Sequence, residues 1–115
     1  MLGVKELKLV GDRQHCVDVL LGKGQYARKV LKGGMFVDVI TRKVYPADVA
    51  IEGEFVLMVG DCSKVTGPDT EVIDVHGKYI CPGFVDAHMH FESAMLTVTE
   101  FSRLSIPTGT TCLIN

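Results

Sequence analysis

The sequence predicts a mixed α/β fold in two parts, a small antiparallel β-sandwich-like domain with an N-terminal helix over residues 1–81 and a β-α-β unit over residues 82–115. Two patterns carry this reading. Through the first part, short β-prone runs alternate with glycine turns at intervals of about ten residues, as in small antiparallel sheets. At Pro82 the pattern becomes an apolar run, a capped helical segment and a second β-branched run, the order of a parallel α/β unit.

The elements follow in chain order. Asp12 can cap a short helix whose apolar positions Cys16, Val17, Leu20 and Leu21 recur at helical spacing, with Gly22 and Gly24 to stop it. Ala27 to Lys32 and Met35 to Ile40 are strand-like runs separated by Gly33-Gly34, which reads as a β-hairpin. Asp48 to Glu52 and Phe55 to Val59 flank Gly53-Glu54, and Glu71 to Val75 and Lys78 to Cys81 flank His76-Gly77, giving two more hairpins. The polar stretch from Gly60 to Thr70, with Gly67-Pro68-Asp69, is a loop. Beyond Pro82, Phe84 to Phe91 opens apolar and closes polar, as a buried parallel strand does when it delivers side chains at its C-terminal end. Thr97 and Glu100 fit a capping box ahead of Phe101, Leu104 and Ile106, and Thr110 to Ile114 suits a final strand.

Composition narrows the function classes. The chain has 115 residues, 12 basic against 14 acidic, for a formal net charge of -2. Balanced charge without like-charge runs leaves no electrostatic footprint for nucleic acid or an anionic membrane, so neither is an expected partner. Four cysteines, Cys16, Cys62, Cys81 and Cys112, are widely spaced in apolar surroundings without a C-x-x-C pair, and read as reduced, mostly buried thiols. The charged residues Lys5, Glu6 and Lys8 break any signal-peptide core, and no apolar run nears the roughly 20 residues of a membrane helix. A cytoplasmic protein is the expectation.

His88 and His90 are the candidate chemical residues. Two apart on a strand, they point to one face with Cα atoms about 6–7 Å apart, and two imidazoles so placed can converge on one metal ion. A catalytic metal site wants about three protein ligands and an open position for water, so the pair is a partial site. Its place at the carboxyl end of a strand that leads into a helix and a parallel strand is where α/β barrels put their chemistry.

The stretch from Lys78 through Pro82-Gly83-Phe84-Val85-Asp86-Ala87-His88-Met89-His90 resembles the opening signature of the amidohydrolase superfamily of metal-dependent hydrolases, a proline-glycine step into the first barrel strand ending in Asp-x-His-x-His. Its continuation through Glu92-Ser93-Ala94-Met95-Leu96-Thr97, Glu100-Phe101 and Pro107-Thr108-Gly109-Thr110-Thr111 resembles the adenine deaminase branch. Asp48 to Gly53 and Ile73 to Lys78 are similar to strands of the small β-sandwich that precedes the barrel in that family.

The resemblance implies the start of a TIM-type barrel in residues 82–115, truncated, and a parent enzyme that converts adenine and water to hypoxanthine and ammonia. It implies a binuclear divalent metal centre in the complete family site, of Mn, Fe or Zn, with His88 and His90 as first-strand ligands. Glu92 and Ser93 lie where substrate or supporting contacts form, and Asp86 has a structural role. Family members carry serine where Ala94 stands, and an Asp-Pro-His-Glu type segment where this chain reads Cys112-Leu113-Ile114-Asn115. His15 and His76 match no family ligand. The expectation is therefore an N-terminal portion of an adenine deaminase, inactive alone because a barrel needs about 250 residues, with exposed sheet edges that favour self-association. The alternatives are another amidohydrolase, dihydroorotase-like or deacetylase-like, and a non-catalytic β-rich assembly module. The zinc deaminases that use H-x-E with P-C-x-x-C do not fit, since the chain has no C-x-x-C.

Overall fold

The computed structural model describes residues 4–114, leaving aside the side chains of Val4, Glu6, Leu7, Phe91 and Ala94. By its contacts the chain divides into two compact units, Met1–Cys81 and Pro82–Asn115. In the first unit, helix α1 (Val4–Leu20) is longer than the sequence predicts. Asp12 does not cap it; the residue lies in mid-helix at 3% exposure. A carboxylate can be buried there because the Arg28 guanidinium reaches its Oδ1 at 3.1 Å. The helix does end at the glycines, with Gly22 and Gly24 at φ 66° and 73°.

The strands that follow form one mixed sheet. β1 (Lys29–Asp38) runs through Gly33-Gly34, so the hairpin predicted there is absent, and its place is taken by an irregularity in the register between Leu31 and Gly34. β2 (Lys43–Glu52) pairs antiparallel with β1 through a later turn, in which the Asp38 carboxylate accepts the backbone N–H groups of Ile40 and Thr41 at 3.0 Å each. β3 (Phe55–Gly60) pairs antiparallel with β2 around Gly53-Glu54, as the sequence predicts. β4 (Glu71–Asp74) and β5 (Tyr79–Ile80) do not pair with each other; both run parallel to β1. The order β3-β2-β1-β4, with β5 also on β1, is thus a single mixed five-stranded sheet and not an antiparallel sandwich.

The correction has a local physical cause. Across the β1 irregularity, Val75 N–H donates to the Lys32 carbonyl and Met35 N–H to the Lys78 carbonyl, both at 2.9 Å. The two predicted hairpin turns, Gly33-Gly34 and His76-Gly77, are therefore matched distortions of one parallel pairing. A Cβ on Gly33 would overlap the His76 ring, and one on Gly34 would crowd Ile80, so the close approach requires glycine. The polar stretch after β3 carries the chain back to β1. There Thr70 Oγ1 donates to the Ala27 carbonyl at 2.7 Å and Glu71 N–H to the Arg28 carbonyl at 2.9 Å.

The core of this unit is Val19 of α1 with Ala27, Val30, Ala50, Cys62 and Val65, flanked by Leu57 and Met58. Of the cysteines, all free, only Cys62 is buried; Cys16 is half-buried and Cys81 and Cys112 are exposed, contrary to the sequence expectation. Burial pushes the Cys62 thiol above its ordinary range, helped by the Asp48 carboxylate.

In the second unit, β6 (Phe84–Asp86) and β7 (Thr110–Leu113) pair in parallel with helix α2 (Val98–Ser105) between them, the predicted order. Thr97 Oγ1 caps α2 by accepting the Glu100 N–H at 3.3 Å. Only half of the capping box forms, because the Glu100 carboxylate takes the Arg103 guanidinium at 3.1 Å. Phe84 and Val85 are 61% and 60% exposed, so β6 is not the buried strand that its apolar run predicts. A pair of short strands with one short helix cannot cover both faces of a sheet. No described helix is long and apolar enough to cross a membrane.

Gly33→Ala and Gly24→Ala, at φ 81° and 73°, should each lower stability by about 1–2 kcal/mol, because the exposed His76 ring over Gly33 can swing aside and the backbone conformation sets the cost at both positions. Urea denaturation of the two variants measures both. The His76 backbone N–H, then its side chain, hold the Asp74 carboxyl below its ordinary 3.8. The stabilisation this gives the turn is present above pH 3.8 and is lost as pH falls through the lower folded value, which an acid titration followed at His76 by NMR should show.

Candidate metal centre

The candidate residues stand where β6 ends. Its last residue, Asp86, accepts the Ile114 N–H on its carbonyl at 3.0 Å, and Met89 N–H donates to the Ile114 carbonyl at 3.0 Å, so the segment beyond the strand stays tied to the end of β7. Asp86 also turns its carboxylate back on the chain, where Oδ1 accepts the His88 N–H at 3.2 Å. At the other end of β6, a Cβ on Gly83 would overlap the Thr111 side chain, which explains the need for glycine before the strand.

His88 and His90 lie beyond Asp86, past the strand on which the sequence places them. Their rings are nevertheless adjacent, with centroids 4.7 Å apart and planes at 88°. The chain bends at Ala87 and His88 and is extended again at His90 (φ -113°, ψ 95°), so the rings meet across a bend and not along a continuing strand. His90 Nδ1 lies 3.4 Å from Glu92 Oε1. Glu92 is presented by a single 3₁₀ turn, Phe91–Ala94, that the left-handed Met95 (φ 55°) closes with a bond from its N–H to the Glu92 carbonyl at 3.1 Å. Ser93 is exposed on that turn, its N–H donating to the His90 carbonyl at 3.2 Å.

The structure thus brings His88, His90 and Glu92 into one exposed cluster, with Asp86 bonded to the backbone beside it. Among the described residues no group of three or more histidine, cysteine or carboxylate side chains is placed to hold a metal ion. The other two histidines have partners of their own in the first unit. His15 Nε2 lies 3.1 Å from the Tyr26 carbonyl, and His76 Nδ1 is 2.5 Å from Asp74 Oδ1. No sequence pattern marked Glu52, which is fully buried with its Oε1 at 2.8 Å from Arg28 Nε. The one available signal was Asp12, a charged residue within the apolar spacing of α1.

No family model matches the sequence. Among curated proteins the chain is 57% identical over 103 residues to adenine deaminase 1 of Carboxydothermus hydrogenoformans, a match that covers 89% of this chain and 17% of that protein. It is 51% identical over 87 residues to adenine deaminase of Moorella thermoacetica, covering 76% of this chain and 15% of the relative. Among solved structures, a D-aminoacylase described as defining a subset of amidohydrolases superposes with a TM-score of 0.64 at 31% identity, over 76% of this chain and 18% of its own. The chain therefore spans about a sixth of the curated relatives it matches. Over that span, the sequence is similar to adenine deaminases and the fold to that of an amidohydrolase.

Proposed function

We propose that the chain supplies the β-rich domain and the first barrel strands of a metal-dependent adenine deaminase, an enzyme that hydrolyses adenine to hypoxanthine and ammonia. The observation that carries the reading is the His88–His90 pair, its rings 4.7 Å apart at the end of a parallel strand, in a chain 57% identical to an adenine deaminase. The D-aminoacylase neighbour, described elsewhere as having a binuclear metal centre, resembles the chain at 31% identity, too distantly to favour a deacylase over the deaminase reading.

The donor set fits half of such a centre. Two adjacent imidazoles suit a divalent transition ion, and the described residues add no third ligand. His88 and His90 would hold the ion. The chemistry it brings when bound is activation of water for attack at the purine C6. In the reaction, the C6–N bond to the exocyclic amine breaks, and the nitrogen leaves as ammonia.

The other residues act on this pair. The Glu92 carboxylate, 3.4 Å from His90 Nδ1, would orient that ring with Nε2 toward an ion. Asp86 holds the His88 backbone through its N–H and so fixes where that ring starts. Ser93 stands on the same turn as Glu92, in reach of a substrate that enters above the histidines. Two ligands do not make a catalytic site, so the 115-residue chain alone is inactive. Its exposed Phe84, Val85, Leu104 and Ile106 favour self-association. The reading places the protein in purine metabolism in the cytoplasm.

A full-length protein carrying this chain should release ammonia from adenine, and His88→Ala or His90→Ala should lower that rate at least a hundredfold, on the order expected when a metal ligand is lost. A coupled ammonia assay with adenine, dihydroorotate and N-acyl-amino acids as alternative substrates checks it. Turnover of the amides alone would refute the purine assignment, and adenine turnover by the isolated chain would refute its inactivity.

A further inference from the structure

Helix α1 is fastened in an unusual way. Of its described side chains only Val19 and Asp12 are buried, while Val10, Val17 and Leu20 are 55%, 46% and 58% exposed. An amphipathic helix normally docks through a buried apolar stripe, whereas among its described residues α1 buries a single apolar side chain, Val19. What lies under it instead is charge. Glu52, at the end of β2, is the largest fully buried side chain of the protein, and Asp12 meets it from the helix side.

A single guanidinium serves both carboxylates. Arg28 Nη1 donates to Asp12 Oδ1 at 3.1 Å, Arg28 Nε lies 2.8 Å from Glu52 Oε1, and the Arg28 backbone N–H donates to Glu52 Oε2 at 3.0 Å. His15, one turn beyond Asp12, brings Nε2 to 3.4 Å from Glu52 Oε2. Asp12 Oδ2 is buried with no hydrogen-bond partner among the described residues. Gly53, at φ 56°, leaves the room for that carboxylate, since a Cβ there would overlap it. Two buried carboxylates thus share one arginine whose own side chain is 57% exposed, and Glu52 Oε1, like Asp12 Oδ2, has no hydrogen-bond partner among the described residues, so the arginine's charge is the main compensation the pair has.

We propose that Asp12, Arg28 and Glu52 form an ionic latch that docks α1 as a separately releasable element on a sheet that stands without it. The sheet has the means to do so. β1 is hydrogen-bonded along both edges, to β2 on one side and to β4 and β5 on the other, and α1 takes no part in any of these ladders. Release of α1 would take Val19 out of the buried cluster it shares with Ala50 and Cys62 and would uncover the side of Phe55 and Leu57 that lies beside Cys16 and Val17. The latch makes the helix a conformational device whose state depends on one bridging side chain.

Hydrogen exchange read by mass spectrometry on the 115-residue chain tests this. In Arg28→Met the α1 amides should exchange on the order of tenfold faster, since the lost guanidinium is 57% exposed and screened while the carboxylates it leaves behind are buried. The β1–β2 amides around Val30 and Ala50 should stay within a few-fold of the parent. Arg28→Lys, a point charge that cannot fork to two carboxylates, should fall between. Unchanged exchange in α1 would overturn the latch. Equal acceleration in helix and sheet, or failure of Arg28→Met to fold while Arg28→Lys folds, would overturn the claim that the helix is a separate element.

Discussion

The first unit depends on one constraint, that β1 must be paired along both of its edges while changing register at Gly33-Gly34. The antiparallel partner β2 follows the bend in one strand, and the parallel partners β4 and β5 follow it by splitting in two, with His76-Gly77 looped out opposite the glycines. Without a side chain at Gly33 the His76 ring has room beside the strand, and β5 is held in line by its own pairing with β1 and by the Met35 N–H donating to the Lys78 carbonyl. The rest of the unit is arranged around this strand. Val30 lies at the centre of the small core, and Arg28, just before β1, neutralises the only two buried carboxylates among the described residues.

The same glycines show how far the sequence could be read. Elements were legible where the signal is local. The Gly53-Glu54 hairpin, the glycine stop of α1, the Thr97 cap and the strand-helix-strand order after Pro82 all depend on residues within a turn of one another, and the structure has them. Gly33-Gly34 and His76-Gly77 carry the same local signature as a hairpin, but their meaning is set by pairing between residues about forty positions apart, which no short-range pattern encodes. Asp12 was misread for a similar reason. A carboxylate near apolar helical positions reads as a cap until an arginine from another segment is known to face it.

The candidate centre was legible as residue types and only partly as geometry. The His88 and His90 rings do lie side by side, but past the end of β6 at Asp86 and across a bend at Ala87 and His88, so the strand alternation read from the sequence is not what brings them together. The Glu92 contact needed a 3₁₀ turn and a left-handed Met95, neither of which has a pattern in the sequence. The exposure of Phe84 and Val85 completes the picture of a strand with an apolar surface and the candidate histidines just beyond it, in a chain that matches about a sixth of its relatives' length.

The central claim is that His88 and His90 together bind one divalent ion. X-ray absorption on the zinc-loaded 115-residue chain measures this directly, because multiple scattering from imidazole rings counts the histidines on the metal. The spectrum should contain two imidazoles per zinc at about 2.0 Å, and lose both in the His88→Ala/His90→Ala variant. An unchanged spectrum in that variant, or a zinc shell of sulfur at about 2.3 Å from the exposed cysteines, would contradict it.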